Sequence, residues 1–103
     1  MPAEVLEHPE IERYIDAMWM EKGLSDNTLS SYRRDLRQFN EWLGKNKKSS
    51  VVRTDRAELQ AYLGARLEQG QSQRSTARFM SCARGFYKYL LREGRLTVDP
   101  TLD

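Results

Sequence analysis

TLSSYRRDLRQFNEWL, residues 28–43, carries two patterns on one segment. Leu29, Tyr32, Leu36, Phe39 and Leu43 recur at steps of three and four, which places them on one stripe of an α-helix. The opposite face holds Asn27, Ser30, Arg34, Arg37, Gln38 and Glu41, with Arg33 on the flank. One side of this helix is built to pack, and the other is rich in arginine.

The same two-sided pattern returns near the end of the chain. Between Ser72 and Glu93, with Gly94 as a stop, Phe79, Met80, Ala83, Phe86, Tyr87, Leu90 and Leu91 form an apolar face. The other face reads Arg74, Arg78, Ser81, Gly85, Lys88 and Arg92, a basic stripe with no acid in it. Two further helices fill the rest. The first starts at Pro9, with Glu10 and Glu12 in its first turn, packs Ile11, Tyr14, Ile15 and Met18 with Trp19 beside them, and ends at Gly23. The third follows an Asp55/Glu58 capping box, packs Leu59, Tyr62, Leu63 and Leu67, and closes at Gly70. Ser25, Asp26 or Asn27 caps the second helix and Gly44 stops it, and Val51-Val52-Arg53 offers one short extended piece at most.

The expected fold is therefore all-α: four helices, or five with a short extra one, in a bundle of two crossed helical hairpins. At 103 residues the chain has room for one core. The expected division is a tail at 1–8, a domain at 9–95, and a linker beginning at 96–103, where Asp99-Pro100 disfavours helix.

Charge is distributed unevenly. Residues 1–30 hold seven acids and two bases, net −5, whereas residues 31–103 hold fifteen bases and eight acids, net +7. A basic half on a small domain suits a polyanion. No apolar run is long enough to span a bilayer, nothing reads as a secretion signal, and the single Cys82 fits a reducing cytoplasm.

Catalysis has little to work with. His8 is the only histidine and reads as tail or cap, while Cys82 has no activating neighbour in the pattern. No metal-ligand spacing, phosphate-cradling glycine loop or nucleophile motif is present, so no catalytic residue, metal or cofactor is expected. Binding fits better. DNA affinity comes chiefly from Lys and Arg against phosphates, and sequence is read from a helix in the major groove. Arg33, Arg34 and Arg37 on one helix, and Arg74, Arg78, Lys88 and Arg92 on another, supply the cations. Asn27, Thr28, Ser31, Gln73 and Ser75 supply short polar groups at the helix starts. On this view Arg34 and Arg78 are dispensable for folding, and Tyr32 is not. A helical protein-interaction module from a phage or mobile-element protein, with an acidic partner, remains the alternative.

IERYIDAMWMEKGL (11–24), NTLSSYRRDLRQFNEW (27–42), LQAYLGARL (59–67) and STARFMSCARGFYKYL (75–90), followed by Asp99-Pro100, resemble the N-terminal core-binding domain of bacterial tyrosine recombinases, the XerD branch most of all. The resemblance implies a SAM-like helical domain that forms half of a clamp on a dif-like recombination half-site. It further implies a XerC-like second subunit, an FtsK-like translocase, a role in resolving chromosome dimers, and a tyrosine nucleophile in a separate domain that this chain lacks. It places Thr28, Tyr32, Arg33, Arg34 and Asp35 on the family's second-helix motif, and Ser75, Arg78, Ser81 and Arg84 on its fourth. Tyr32, Asp35 and Arg84 read as structural within that motif, and Gly85 stands where the family often has a larger, frequently basic residue.

Overall fold

The computed structural model describes residues 8–102 and contains four helices: α1 (Pro9–Lys22), α2 (Asp26–Lys47), α3 (Arg56–Glu68) and α4 (Gln73–Arg92). No strand occurs among the described residues, and Val51-Val52-Arg53 is a turn. Of the expected tail, only His8 falls within the described residues.

Each helix begins where a side chain can accept one of the free first-turn N–H groups. Ser25 takes the Thr28 N–H at 3.2 Å, Asp55 takes that of Glu58 at 2.9 Å, and Ser72 takes that of Ser75 at 3.0 Å. His8 performs the same role for α1 through Nδ1, which accepts from the Glu10 N–H at 3.2 Å.

The end of α2 differs from the sequence expectation. The helix runs through Gly44 to Lys47, and Lys48 takes the left-handed conformation with φ 51°. The Ser49 N–H then returns to the Leu43 carbonyl at 3.1 Å. A glycine inside a helix costs about 1 kcal/mol relative to alanine, which is too little to end a helix whose continuation is anchored elsewhere. The anchor is Val51, which is fully buried; its N–H donates to Asn40 Oδ1 at 3.0 Å and its carbonyl accepts from Tyr87 at 2.7 Å. This loop residue belongs to the core, so the polar run 45–50 is held at both ends.

α2 lies against all three other helices, and α1 also crosses α4. Ile11, Tyr14, Ile15, Leu29, Leu36, Phe39, Leu43, Leu59, Tyr62, Phe79, Ala83, Phe86, Tyr87 and Leu90 form one buried cluster, as their spacing predicts. Cys82 joins them, with Tyr32 partly buried at the edge. Phe39, Tyr62 and Phe79 meet at centroid distances of 4.7 to 5.4 Å, tying α2, α3 and α4 at one point. Leu67 is the exception, 73% exposed, because α3 turns Arg66 inward instead. After α4, Leu96 packs against the cluster and Pro100 is buried.

Gly85 lies where α4 meets Tyr14 of α1. A Cβ there would lie 2.5 Å from the Tyr14 hydroxyl, so the residue faces α1, in the groove that Arg84, Lys88 and Arg92 also line. Tyr14 in turn donates to the Cys82 carbonyl at 3.4 Å. The absence of a side chain at Gly85 thus permits the crossing.

Candidate nucleic-acid interface

The basic residues of α2 and α4 divide into those with carboxylate partners and those without, a division invisible along either helix alone. Arg33 sends Nε to both oxygens of Glu12 at 3.2 and 3.0 Å, and Arg37 Nη2 reaches Glu12 Oε2 at 3.1 Å. Glu12 belongs to α1, so the acidic first helix neutralises part of the arginine-rich flank of α2. Arg34 points away from this contact, is exposed, and makes no ion pair among the described residues.

On α4, Arg74, Arg84 and Lys88 are exposed and likewise lack an ion pair among the described residues. Arg84, expected to be structural, lines the grooves on both sides of α4 and is an outward residue. Arg92 is held by Glu21 of α1 at 2.8 and 2.9 Å and by Glu93 at 3.1 Å. The stripe is free of acid along its own helix, but carboxylates reach it from α1 and α2.

Arg78 shows this most clearly. Its Nε and Nη2 form a fork onto Asp35 Oδ2 and Oδ1 at 2.9 and 3.0 Å. The Asp35 side chain is only 2% exposed, whereas that of Arg78 is 37% exposed. The carboxylate holds the guanidinium pKa above its usual value. Removing Arg78 would leave a buried carboxylate without its partner, at a cost of about 3 kcal/mol. The expectation that Arg78 is dispensable for folding is therefore corrected.

Of the short polar residues, Asn27 and Ser81 are exposed, and Thr28 and Ser31 are half-buried. The Thr28 hydroxyl accepts from Ser25 Oγ at 3.0 Å. Ser75 is engaged from within: its Oγ accepts from Arg66 Nη2 at 2.8 Å, while Arg66 Nε donates to Thr76 at 3.1 Å. Arg66 is 4% exposed, lies over the rings of Tyr62 and Phe79, and fixes the first turn of α4 to α3. Sequence reasoning missed it, although position 66 continues the Leu59, Tyr62, Leu63 stripe as directly as Leu67 does.

The described residues gather no three or more His, Cys, Asp or Glu side chains at one point. Cys82 is fully buried, and burial pushes its thiol pKa up, which removes thiolate character. Burial likewise pushes up the Tyr14 and Tyr87 hydroxyls and keeps them as donors to backbone carbonyls. Among the described residues no helix is long and apolar enough to cross a membrane. What remains at the surface is a set of cations on α2 and α4 that make no ion pair among the described residues.

Residues 11–94 match the phage integrase, N-terminal SAM-like domain family. The chain belongs to that family. The chain is 53% identical over 98 residues to the tyrosine recombinase XerD of Pseudomonas aeruginosa, covering 94% of this chain and 32% of that protein. It is 52% identical to the XerD of Pseudomonas putida, covering 99% of this chain and 33% of the relative. With the XerD of Staphylococcus epidermidis it shares 44% identity, covering 89% and 31% respectively. The chain thus spans about a third of the length of the curated relatives it matches. No solved structure matches it.

Proposed function

We propose that this SAM-like domain is the DNA-binding part of a tyrosine site-specific recombinase, with strand cleavage assigned to a domain outside this chain. The observation that carries the reading is a set of exposed cations that make no ion pair among the described residues, including Arg34 on α2 and Arg74, Arg84 and Lys88 on α4. Asn27, Thr28, Ser31 and Ser81 flank them as polar contacts, and Arg33, Arg37 and Ser75 stand at the margin, tied to Glu12 and Arg66. The identity to XerD recombinases supports the finer reading of a half-site clamp at a dif-like sequence in chromosome dimer resolution. In the whole protein a XerC-like subunit and an FtsK-like translocase would be partners. Residues 9–95 are the DNA-contacting unit, and 96–103 lead toward the rest of the enzyme.

A salt titration tests this directly. The isolated chain should bind a duplex carrying a dif-like half-site, with the logarithm of affinity falling against that of salt with a slope of about −3 to −4, as four phosphate-neutralising cations require. Absence of binding near about 50 mM salt, or affinity indifferent to salt, removes the reading. One observation favours a second reading, a helical protein-interaction module. The groove between α3 and α4 is lined by Leu63, Leu67, Ala77 and Met80, with Leu67 largely exposed. Salt-indifferent association would select it.

A further inference from the structure

Arg78 stands apart from the other paired arginines of α2 and α4 because its carboxylate partner is buried, the Asp35 side chain being 2% exposed against 37% for Glu12 and 42% for Glu21, while part of its own hydrogen-bonding capacity stays open. The fork onto Asp35 uses Nε and one Nη2 proton. Both Nη1 protons and the second Nη2 proton remain, and nothing among the described residues takes them. These protons lie along the outer edge of a flat group whose plane the buried carboxylate fixes, on a side chain 37% exposed.

That combination suits one kind of acceptor. A phosphate gains most from a cation whose charge is uncompensated, and a carboxylate beside the guanidinium opposes it. A neutral base edge meets no such repulsion and gains from donors held in a fixed plane. In the major groove, guanine presents two adjacent acceptors, O6 and N7, that match the two Nη groups. Arg34, Arg74, Arg84 and Lys88 have the opposite character, exposed and with no carboxylate among the described residues to orient them.

We propose that Asp35 and Arg78 form a base-reading unit in which Asp35 is the positioning residue and Arg78 contacts guanine in the major groove, so that this pair sets sequence preference while the unpaired cations set affinity. The proposal rests on the DNA-binding reading above and adds to it the source of specificity.

The test is selection by the 103-residue chain from a pool of duplexes randomised over about one helical turn, with the bound fraction sequenced. The unmodified chain should enrich guanine at a defined position. Arg78→Lys keeps a cation for Asp35 but loses the fork, and should lower that enrichment about tenfold while other positions keep theirs. Asp35→Asn keeps Arg78 but cannot accept both N–H groups. It should lose the same guanine preference and steepen the salt slope by about 1, as the released guanidinium turns to phosphate. Helical circular dichroism checks folding, and if Arg78→Lys does not fold, Asp35→Asn carries the test.

Loss spread evenly over all positions in Arg78→Lys, with a slope shallower by about 1, makes Arg78 a phosphate contact and overturns the proposal. An unchanged profile in both variants reduces the pair to a structural tie and also overturns it. If the unmodified chain binds duplex but enriches no position, this inference falls and DNA binding stands. If it binds no duplex, both fall.

Discussion

Gly85 demonstrates how one residue can change meaning between sequence and structure. By helical position it sits on the basic side of α4, yet its Cα faces Tyr14, and an added Cβ would meet the tyrosine oxygen at 2.5 Å. Gly85→Ala therefore sets two effects against each other: about 1 kcal/mol of helix propensity gained and about 1 to 3 kcal/mol of overpacking incurred. Urea unfolding should show a net loss of about 1 kcal/mol. In a Tyr14→Phe background the nearest ring atom is Cζ at 3.5 Å, an ordinary contact. There the alanine should be neutral or stabilising, and a loss of equal size in both backgrounds would contradict the assigned contact. Arg66 carries the same lesson in reverse, a charged residue on a core stripe whose partners, Ser75 and Thr76, belong to the next helix.

At the scale of the element, helix starts were legible because each depends on one nearby side chain. Ser25, Ser72, Asp55 and His8 all sit where short-range pattern places a cap. The end of α2 was not legible, since it depends on Val51 being held by Asn40 and by Tyr87, 36 residues away. The α1 cap titrates. Partial burial lowers the His8 pKa from 6.5, and the cap needs the unprotonated Nδ1 lone pair. The folded state thus disfavours the charged form: the cap's contribution is complete above pH 6.5 and is lost as pH falls through the lowered value. Amide exchange in the first turn of α1 should accelerate between about pH 7 and about pH 5, after correction for intrinsic rates. His8→Asn keeps an acceptor that does not titrate and should flatten this dependence. Identical profiles for the two chains would mean that the imidazole does not act as the cap.

For the whole molecule, the opposed charges of the two parts of the chain are partly folded against each other. Glu12 holds Arg33 and Arg37, and Glu21 holds Arg92, so the acidic first helix covers one side of the basic surface and leaves the rest open. Such partly exposed pairs add little stability, about 0 to 1 kcal/mol each, and their larger effect is on the surface field. Glu12→Gln should therefore leave the unfolding temperature nearly unchanged, raise affinity for a mixed-sequence duplex, and steepen the salt slope by about 1 through Arg33. Fluorescence anisotropy at several salt concentrations measures it. An unaltered slope would place the Arg33 flank away from the phosphates.

The sequence by itself determined the four helices, most of their caps and nearly all of the core, because these depend on spacing within about a dozen residues and on the match between apolar stripes and the 3.6-residue turn. It also carried the family resemblance, since the motif residues lie in continuous runs. The tertiary structure alone decided which arginines are available. Asp35 lies 43 residues from Arg78, Glu12 lies 21 from Arg33, and Glu21 lies 71 from Arg92. Whether a cation is free, neutralised or held as an oriented donor depends on which carboxylate the packing brings to it, and no periodicity along one helix records that.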